Sequence, residues 1–168
     1  MSCAKPTPPK ELLRRLFDYR DGKLFWRIGG SGKRVGDEAG MITEKGYRRI
    51  RVERHLHMAH RLVWAYHFDN VPQWIDHIDE DKLNNRIENL RPASKEQNGY
   101  NISHRKNNRS GVKGVYWSTR DNKWVAEISV NKQIRRVGYF EDIDLAELVV
   151  IEARNLYHGA YASRSALA

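Results

Sequence analysis

The stretch from residue 76 to residue 98 concentrates side chains that can do chemistry. Asp76 and His77 are adjacent, and Asn89 and Asn98 follow within the same stretch. Carboxylate and amide oxygens are hard ligands, which suit Mg²⁺ or Mn²⁺. A neutral histidine can take a proton from water near pH 7. This combination suits phosphodiester hydrolysis, in which the ion would offset charge on the scissile phosphate and on the leaving 3′ oxygen.

The elements around these residues are predicted from short local signals. The apolar pair Trp74-Ile75 predicts a strand that ends at Asp-His, and Asn89-Leu90-Arg91 predicts a second strand that Pro92 stops. Ser94 with Gln97 forms a capping box, which predicts a helix from Lys95 with Asn98 in its second turn. The order is strand, loop, strand, helix. The alternative is an ordinary polar surface loop in which Asn98-Gly99 is a hairpin turn.

Residues 76–98 resemble the HNH (ββα-metal) nuclease motif of phage and intron homing endonucleases. The resemblance implies that Asp76 is a metal ligand, that His77 is the general base, that Asn89 supports the base or its loop, and that Asn98 is the final ligand. Many relatives brace the motif with two CxxC pairs that hold zinc. This chain has a single cysteine, Cys3, so no structural zinc is expected.

Composition favours an anionic partner. The 168 residues include 30 Lys and Arg against 21 Asp and Glu, a formal net charge of +9. Such an excess points to a polyanion, here double-stranded DNA. No apolar run approaches the roughly 18 residues of a membrane span, and the start of the chain lacks the apolar core of a signal peptide. We therefore expect a cytoplasmic protein without membrane contact, in the host cytoplasm if a phage encodes it.

The region before residue 70 is predicted to form a helix, a hairpin and a second helix. The predicted elements are a helix over 11–19, a turn at Asp21-Gly22, strands over 23–27, 46–52 and 55–58, and a helix over 58–68. Arg48 and Arg49 on the second strand are candidate DNA contacts, as is Arg61, whose HRLVW segment also resembles the homing-nuclease family. His60 can lie near the phosphate or be a packed helix residue. His55 and His57 can bind a metal or be ordinary hairpin residues, and the Gly-rich 29–40 stretch can contact phosphate or be a plain loop.

The pattern changes after residue 110. Strands are predicted over 111–117, 123–130 and 133–140, spaced as an antiparallel meander. A capping box of Asp144 and Glu147 predicts a helix through about Tyr157. Leu145, Leu148, Val149, Glu152 and Leu156 lie on one side of it, and Ala146, Val150, Ala153 and Tyr157 widen its apolar stripe. Residues 104–140 carry nine Lys or Arg against two acids, so the sheet is predicted to present the positive face. A basic three-stranded sheet fits the major groove, about 12 Å wide.

Residues 110–161 resemble the APETALA/ethylene-response-factor (ERF) DNA-binding domain. The matching segments are Gly114-Val115-Tyr116-Trp117, Lys123 to Ile128 and Gly138-Tyr139-Phe140. Lys113 stands where that family has an arginine, which puts its base readout in doubt, and the tryptophans can instead be sheet packing. The candidate DNA contacts in and before this module are Arg105, Lys106, Lys113, Trp117, Arg120, Lys123, Trp124, Arg135 and Arg136.

The predicted fold class is α+β, a ββα-metal (HNH) core followed by a three-stranded antiparallel sheet packed on one helix. The predicted domains are a disordered lead (1–9), the nuclease domain (10–103, with its ββα core at 73–103), a basic linker (104–109), the ERF-like domain (110–161) and a tail (162–168). The predicted function is a metal-dependent, homing-type DNA endonuclease targeted by its C-terminal domain. A DNA-binding transcriptional regulator with an inactive nuclease core is the alternative, and an RNA-binding or RNA-cleaving protein is a third. One nuclease centre per chain favours a monomer that nicks DNA, with a dimer on DNA as the alternative.

Overall fold

The computed structural model of this protein describes residues 6–30, 32–100 and 108–162. The chain divides into two compact units, Met1–Pro92 and Ala93–Ala168. The predicted basic linker over 104–109 falls mostly outside the described residues, so the predicted domain boundaries stay a prediction. The fold mixes α-helices with antiparallel sheets. In the described part of the chain, no helix combines the length and apolarity that spanning a membrane requires.

The first unit opens with a helix and a hairpin. Helix α1 (Lys10–Leu16) is followed by strands β1 (Phe17–Arg20) and β2 (Lys23–Trp26), which pair antiparallel. The predicted helix over 11–19 was therefore too long. Phe17 packs against Trp26 with ring centroids 4.5 Å apart, so pairing with a later strand decides the conformation of residues 17–20 over local helical spacing.

The core of this unit lies between a small sheet and a helix. Strands β3 (Met41–Ile42), β4 (Arg48–Val52) and β5 (His55–Met58) form the sheet in that order. Helix α2 (Ala59–His67) follows directly, and the predicted helix over 58–68 differs by one residue at each end. Ile50 and Val52 alternate with exposed Arg49 and Arg51 along β4, so one face of that strand is buried.

Strands β6 (Trp74–His77) and β7 (Leu90–Ala93) form a two-stranded sheet. A 3₁₀ turn, Ile87–Asn89, leads into β7. The prediction that Pro92 stops this strand was wrong, because β7 continues through it to Ala93. Proline lacks an N–H, but every strand of a two-stranded sheet is an edge strand, where a proline is tolerated.

Helix α3 (Lys95–Tyr100) begins where the capping box predicts. The Ser94 backbone N–H donates to Oε1 of Gln97 at 2.7 Å, and the Gln97 N–H donates to the Ser94 hydroxyl at 3.1 Å. Asn98 is helical, and its N–H donates to the Ser94 carbonyl, so the alternative of a hairpin turn at Asn98-Gly99 was wrong. The predicted order of strand, strand and helix is present along the chain, with α3 in the second unit.

The second unit is a three-stranded antiparallel sheet packed on a long helix. Strands β8 (Val115–Ser118), β9 (Lys123–Val130) and β10 (Gln133–Phe140) have β9 in the centre, and helix α4 (Ile143–His158) follows. The first of these strands starts later than predicted. The cap of α4 is Asp142, whose carboxylate accepts from the Asp144 N–H at 2.7 Å, so the predicted cap at Asp144 was wrong.

The buried face of α4 agrees with the predicted stripe only at Ala146 and Val150. The fully buried positions are Ala146, Val150, Arg154 and His158, whereas Leu145, Leu148 and Leu156 are exposed. Two neighbouring stripes of this helix are apolar, and periodicity alone does not decide which one meets the sheet. The two polar members of the buried stripe are accommodated by backbone oxygens: Arg154 donates to the Lys113 carbonyl at 3.1 Å, and His158 Nε2 lies 2.8 Å from the Ser129 carbonyl.

Candidate active site

Strand β6 carries the Asp-His pair into the interior of the first unit. Asp76 is 4% exposed and His77 is 6% exposed. The strand is held by β7, and just beyond its end the Ile78 N–H donates to the Asn89 carbonyl at 2.9 Å. Burying a carboxylate and an imidazole is unfavourable unless each has polar partners, so the groups around these two side chains define the site.

Arg91 on β7 neutralises the buried carboxylate of Asp76. Its Nε and Nη2 atoms donate to the same oxygen, Oδ2, at 2.9 and 2.7 Å. The side chains are 14% and 5% exposed, so the pair is shielded from water. Such a charge-assisted pair is strong and well oriented. Arg91 therefore fixes the position of the predicted metal ligand, and sequence reasoning had left it without a role.

His77 is surrounded by an amide and two aromatic rings. Its Nε2 lies 3.0 Å from Oδ1 of Asn85. The His60 ring meets it edge to face at a centroid distance of 5.2 Å, and the Tyr47 ring lies at 6.3 Å. Residues from α2, from the position just before β4 and from the loop after β6 thus meet around the imidazole. His60 packs beside the predicted base, and its place near the phosphate stays a prediction.

Burial and neighbouring charge perturb two groups in this cluster. The pKa of His60 falls from 6.5 to about 3, because burial disfavours its charged form and His77 and Arg61 add repulsion. His60 is therefore neutral at physiological pH. The pKa of Tyr47 is raised by burial and by the negative charge of Asp76, so the phenol stays protonated.

Asn89 holds the loop that follows His77. Its Nδ2 donates to Oδ1 of Asp79 at 2.8 Å and to the Asn84 carbonyl at 2.7 Å, while its Oδ1 accepts from the Asp79 N–H. Burial raises the pKa of Asp79, but hydrogen bonds from Asn89, from Asn84 and from the Asp81 backbone outweigh it and lower that pKa overall. Asn89 therefore links two parts of this loop, and its role in supporting the base stays a prediction.

Asn85 is the second residue of this site, after Arg91, that sequence reasoning missed. It is 3% exposed and provides the amide that faces His77. Its neighbourhood is closely packed, because a Cβ on Gly22 would lie 2.5 Å from the Arg86 nitrogen and 2.8 Å from the Asn85 carbonyl carbon. Asn84 and Asn85 are identical in type, and only the fold shows which one turns inward.

Comparison with known proteins finds relatives for the segment that carries these residues. The HNH endonuclease family model matches residues 57–100, from β5 through α3. Protein 3.8 of Escherichia phage T7 is 33% identical to this chain over 107 residues, which are 61% of this chain and 86% of that protein. The chain carries an HNH endonuclease domain and belongs to the family of T7 protein 3.8. No solved structure matches the chain significantly, and the comparisons give no support to the predicted ERF-like domain.

The other predicted ligand of the HNH domain, Asn98, lies on α3, whose contacts in the second unit are well defined. Glu96 pairs with Lys132 at 3.3 Å. The Tyr100 ring stacks on His158 at 3.9 Å with 4° between the planes, and the Tyr100 hydroxyl accepts from the Asn131 N–H at 3.1 Å. The position of this short helix within its unit is therefore fixed by tertiary contacts as well as by its cap.

The chemistry of the predicted donors fits a divalent ion. A buried carboxylate and an amide oxygen are hard donors of the kind that Mg²⁺ and Mn²⁺ prefer. Within residues 6–30, 32–100 and 108–162, no group of three or more His, Cys, Asp and Glu side chains is placed to hold a metal. The donor set predicted from the sequence has one carboxylate, Asp76, so an ion there would depend on amide oxygens, water and phosphate for its remaining ligands.

The predicted DNA contacts of the first unit separate into structural and exposed residues. Arg48 pairs with Glu38 at 3.0 Å, and Arg61 donates to the carbonyls of Pro72 and Gln73 at 2.9 and 3.1 Å. Both arginines therefore hold loops in place. Arg49 is exposed, as is Arg51 two residues further along the same face of β4.

In the second unit, the face of the sheet opposite α4 carries a linked polar and aromatic cluster. Glu127 accepts from Arg136 at 3.0 and 3.1 Å and from the Tyr116 hydroxyl at 3.0 Å. The Arg136 guanidinium lies over the ring of Tyr139, 5.2 Å from the ring centroid. Tyr116 and Tyr139 are exposed, and neither tyrosine was among the predicted contacts.

The remaining predicted contacts occupy mixed environments. Arg105 and Lys106 lie outside the described residues. Trp117 meets Trp124 edge to face at 5.2 Å, and Trp124 packs against the core under α4, which favours the packing interpretation for Trp124. The basic side chains have intramolecular partners, as follows: Lys113 with the Tyr100 carbonyl, Arg120 with Asp121, Lys123 with Glu141, and Arg135 with the ring of Tyr157.

Proposed function

We propose that this protein is a divalent-metal-dependent endonuclease that hydrolyses phosphodiester bonds of double-stranded DNA. The observation that carries the proposal is the buried Asp76-His77 pair at the end of β6, inside the segment that matches the HNH endonuclease family. An adjacent carboxylate and imidazole combine a hard ligand with a base that works near neutral pH. The family match and the net charge of +9 both favour a nucleic acid as substrate.

In the proposed reaction, His77 takes a proton from a water molecule that attacks the phosphorus atom. The bond from phosphorus to the 3′ oxygen breaks, and solvent protonates that oxygen, which leaves a 3′ hydroxyl and a 5′ phosphate. A divalent ion, when bound, supplies positive charge to the scissile phosphate and the leaving oxygen. We propose Asp76 and Asn98 as its protein ligands. Asn89 keeps the loop after His77 in one conformation through its bonds to Asp79 and Asn84.

Targeting is proposed to come from exposed cations in both units. Arg49 and Arg51 would contact phosphates from the first unit. In the second unit, the sheet face presents the Arg136 guanidinium over the ring of Tyr139, and Tyr116 bonds to the same carboxylate, Glu127, as Arg136 does. A guanidinium beside exposed aromatic residues is suited to phosphate and base contacts. We propose a homing-type enzyme that nicks DNA as a monomer, with a dimer on DNA as the alternative.

A plasmid assay separates this proposal from a DNA-binding regulator with an inactive core. Supercoiled plasmid is incubated with the protein and Mg²⁺ or Mn²⁺, and the nicked and linear forms are measured against a control with EDTA. The proposal expects nicks that depend on the divalent ion. Specific DNA binding without a nick at any metal concentration would support the regulator, and cleavage of RNA in preference to duplex DNA would reassign the substrate.

A further inference from the structure

The amide of Asn85 faces the imidazole of His77 in a fixed orientation. Its Nδ2 donates to the Leu83 carbonyl at 3.2 Å, and the Asn85 backbone N–H donates to the same carbonyl at 3.0 Å. The nitrogen of the amide is thereby committed to the backbone. The oxygen, Oδ1, is the end that meets His77 Nε2 at 3.0 Å.

This orientation has a consequence for the imidazole. An amide oxygen accepts hydrogen bonds and cannot donate them, so Nε2 of a neutral His77 must carry the hydrogen. The hydrogen bond at one ring nitrogen determines the state of the other. Nδ1 is then the nitrogen that bears the lone pair, and it is the atom that can take a proton from water.

The segment that carries Asn85 is itself held firmly. The Tyr19 hydroxyl of β1 accepts from the Ile87 N–H at 3.0 Å. The β1–β2 turn reaches the same segment at Gly22, where φ is +81° and any Cβ would collide with the backbone of residues 85 and 86. The first hairpin of the chain therefore supports the loop segment from which Asn85 reaches His77.

We propose that Asn85 is the positioning residue for the general base. It holds the ring of His77 in one orientation and in the tautomer with hydrogen on Nε2, so that Nδ1 is presented as the base. The catalytic part of this inference, in which His77 acts as a base, rests on the proposed function. Asn89 holds the loop through Asp79, whereas Asn85 acts on the imidazole itself, and the two asparagines thus have separate tasks.

Two measurements test the proposal. The first is the tautomer of His77, read from long-range ¹H–¹⁵N correlation spectra of the metal-free protein at a pH where the ring is neutral. The second is single-site DNA cleavage with Mg²⁺, analysed for kcat and KM separately. Both are made on the wild type, on Asn85→Leu, which removes the acceptor, and on Asn85→Asp, which keeps one. Asn70→Leu is the control, because it makes the same change at an exposed position of the first unit.

We expect hydrogen on Nε2 of His77 in the wild type, in Asn70→Leu and in Asn85→Asp, and a mixture of tautomers in Asn85→Leu. The kcat of Asn85→Leu should fall about 100-fold, at the lower end of what a positioned base contributes, with KM changed less than about twofold. Asn85→Asp should recover most of that loss.

Three results would overturn the proposal: hydrogen on Nδ1 in the wild type, a wild-type tautomer in Asn85→Leu, or a kcat of Asn85→Leu equal to that of the wild type. The wild-type spectrum needs no variant, so a variant that fails to fold leaves the test intact. If the wild type cuts no DNA, the proposed function fails, and the spectra still decide whether Asn85 sets the tautomer.

Discussion

The ion pair between Arg91 and Asp76 can be tested by a double-mutant cycle. Arg91→Met keeps the length of the side chain but removes the charge, so the carboxylate stays buried without its guanidinium. Because the Asp76 side chain is 5% exposed, water cannot replace the lost partner. Removing one member of a buried pair typically costs about 3–5 kcal/mol, and we expect Arg91→Met to lose about 3 kcal/mol of unfolding free energy.

The second arm of the cycle removes the charge of Asp76 as well. Asp76→Asn combined with Arg91→Met leaves no buried charge at this position, so the double variant should be more stable than Arg91→Met alone. Lys10→Met is the control, since its partner Asp69 is 85% exposed and their contact is 3.5 Å. An exposed pair of this kind contributes about 0–1 kcal/mol.

Urea unfolding followed by circular dichroism, with and without Mg²⁺, measures five proteins: the wild type, Arg91→Met, Asp76→Asn, the double variant and Lys10→Met. Mg²⁺ should stabilise Arg91→Met more than the wild type, because the ion supplies the positive charge that the variant lacks. If Arg91→Met loses no more stability than Lys10→Met, Arg91 does not hold the carboxylate as described. An equal response of both proteins to Mg²⁺ would place the ion away from Asp76.

Three further predictions follow from burial, backbone geometry and charge. The folded-state pKa of His60, about 3, lies below its ordinary value of 6.5. The stability that neutral His60 contributes is therefore complete above pH 6.5 and is lost as the pH falls towards 3. Between pH 7 and pH 5 in urea titrations, the unfolding free energy of His60→Gln should decrease by about 2 kcal/mol less than that of the wild type. Gly114→Ala places a Cβ 2.4 Å from the Glu127 carbonyl oxygen, whereas a Cβ at Gly111, also at positive φ, meets nothing within 4 Å. In thermal unfolding, Gly114→Ala should be less stable than Gly111→Ala by at least about 1 kcal/mol. Equal losses of stability in the two variants would contradict the close packing of Gly114 on Glu127. Replacing Arg49 and Arg51 by alanine should reduce the slope of log K against log salt by about 2 in DNA-binding titrations, and an unchanged slope would remove β4 from the DNA interface.

Local signals predicted much of this fold. The capping box of Ser94 and Gln97 gives the start of α3, and both of its hydrogen bonds form. Strands β5, β9 and β10 have their predicted bounds, since turn residues precede each of them. These signals act over a few residues, which is why one sequence is enough to read them.

Long-range pairing decided what the sequence left open. Phe17 continues the helical spacing of α1 but enters a strand because it packs on Trp26. Apolar residues cover two stripes of α4, and the sheet selects the stripe of Ala146 and Val150. For the site, Asp76 and His77 could be predicted because their types are unusual together, whereas Arg91 and Asn85 resemble other basic and loop residues until the fold shows their partners.

The most direct test of the central claim is DNA cleavage by His77→Ala. Both proteins are incubated with a labelled duplex and Mg²⁺ under single-turnover conditions, and DNA affinity is measured in parallel without the divalent ion. A positioned general base contributes roughly 10²- to 10⁴-fold to the rate, so cleavage should slow by at least about 100-fold while affinity stays within about twofold. Cleavage by His77→Ala at the wild-type rate would show that the base, and with it the active site described around β6, has been wrongly assigned.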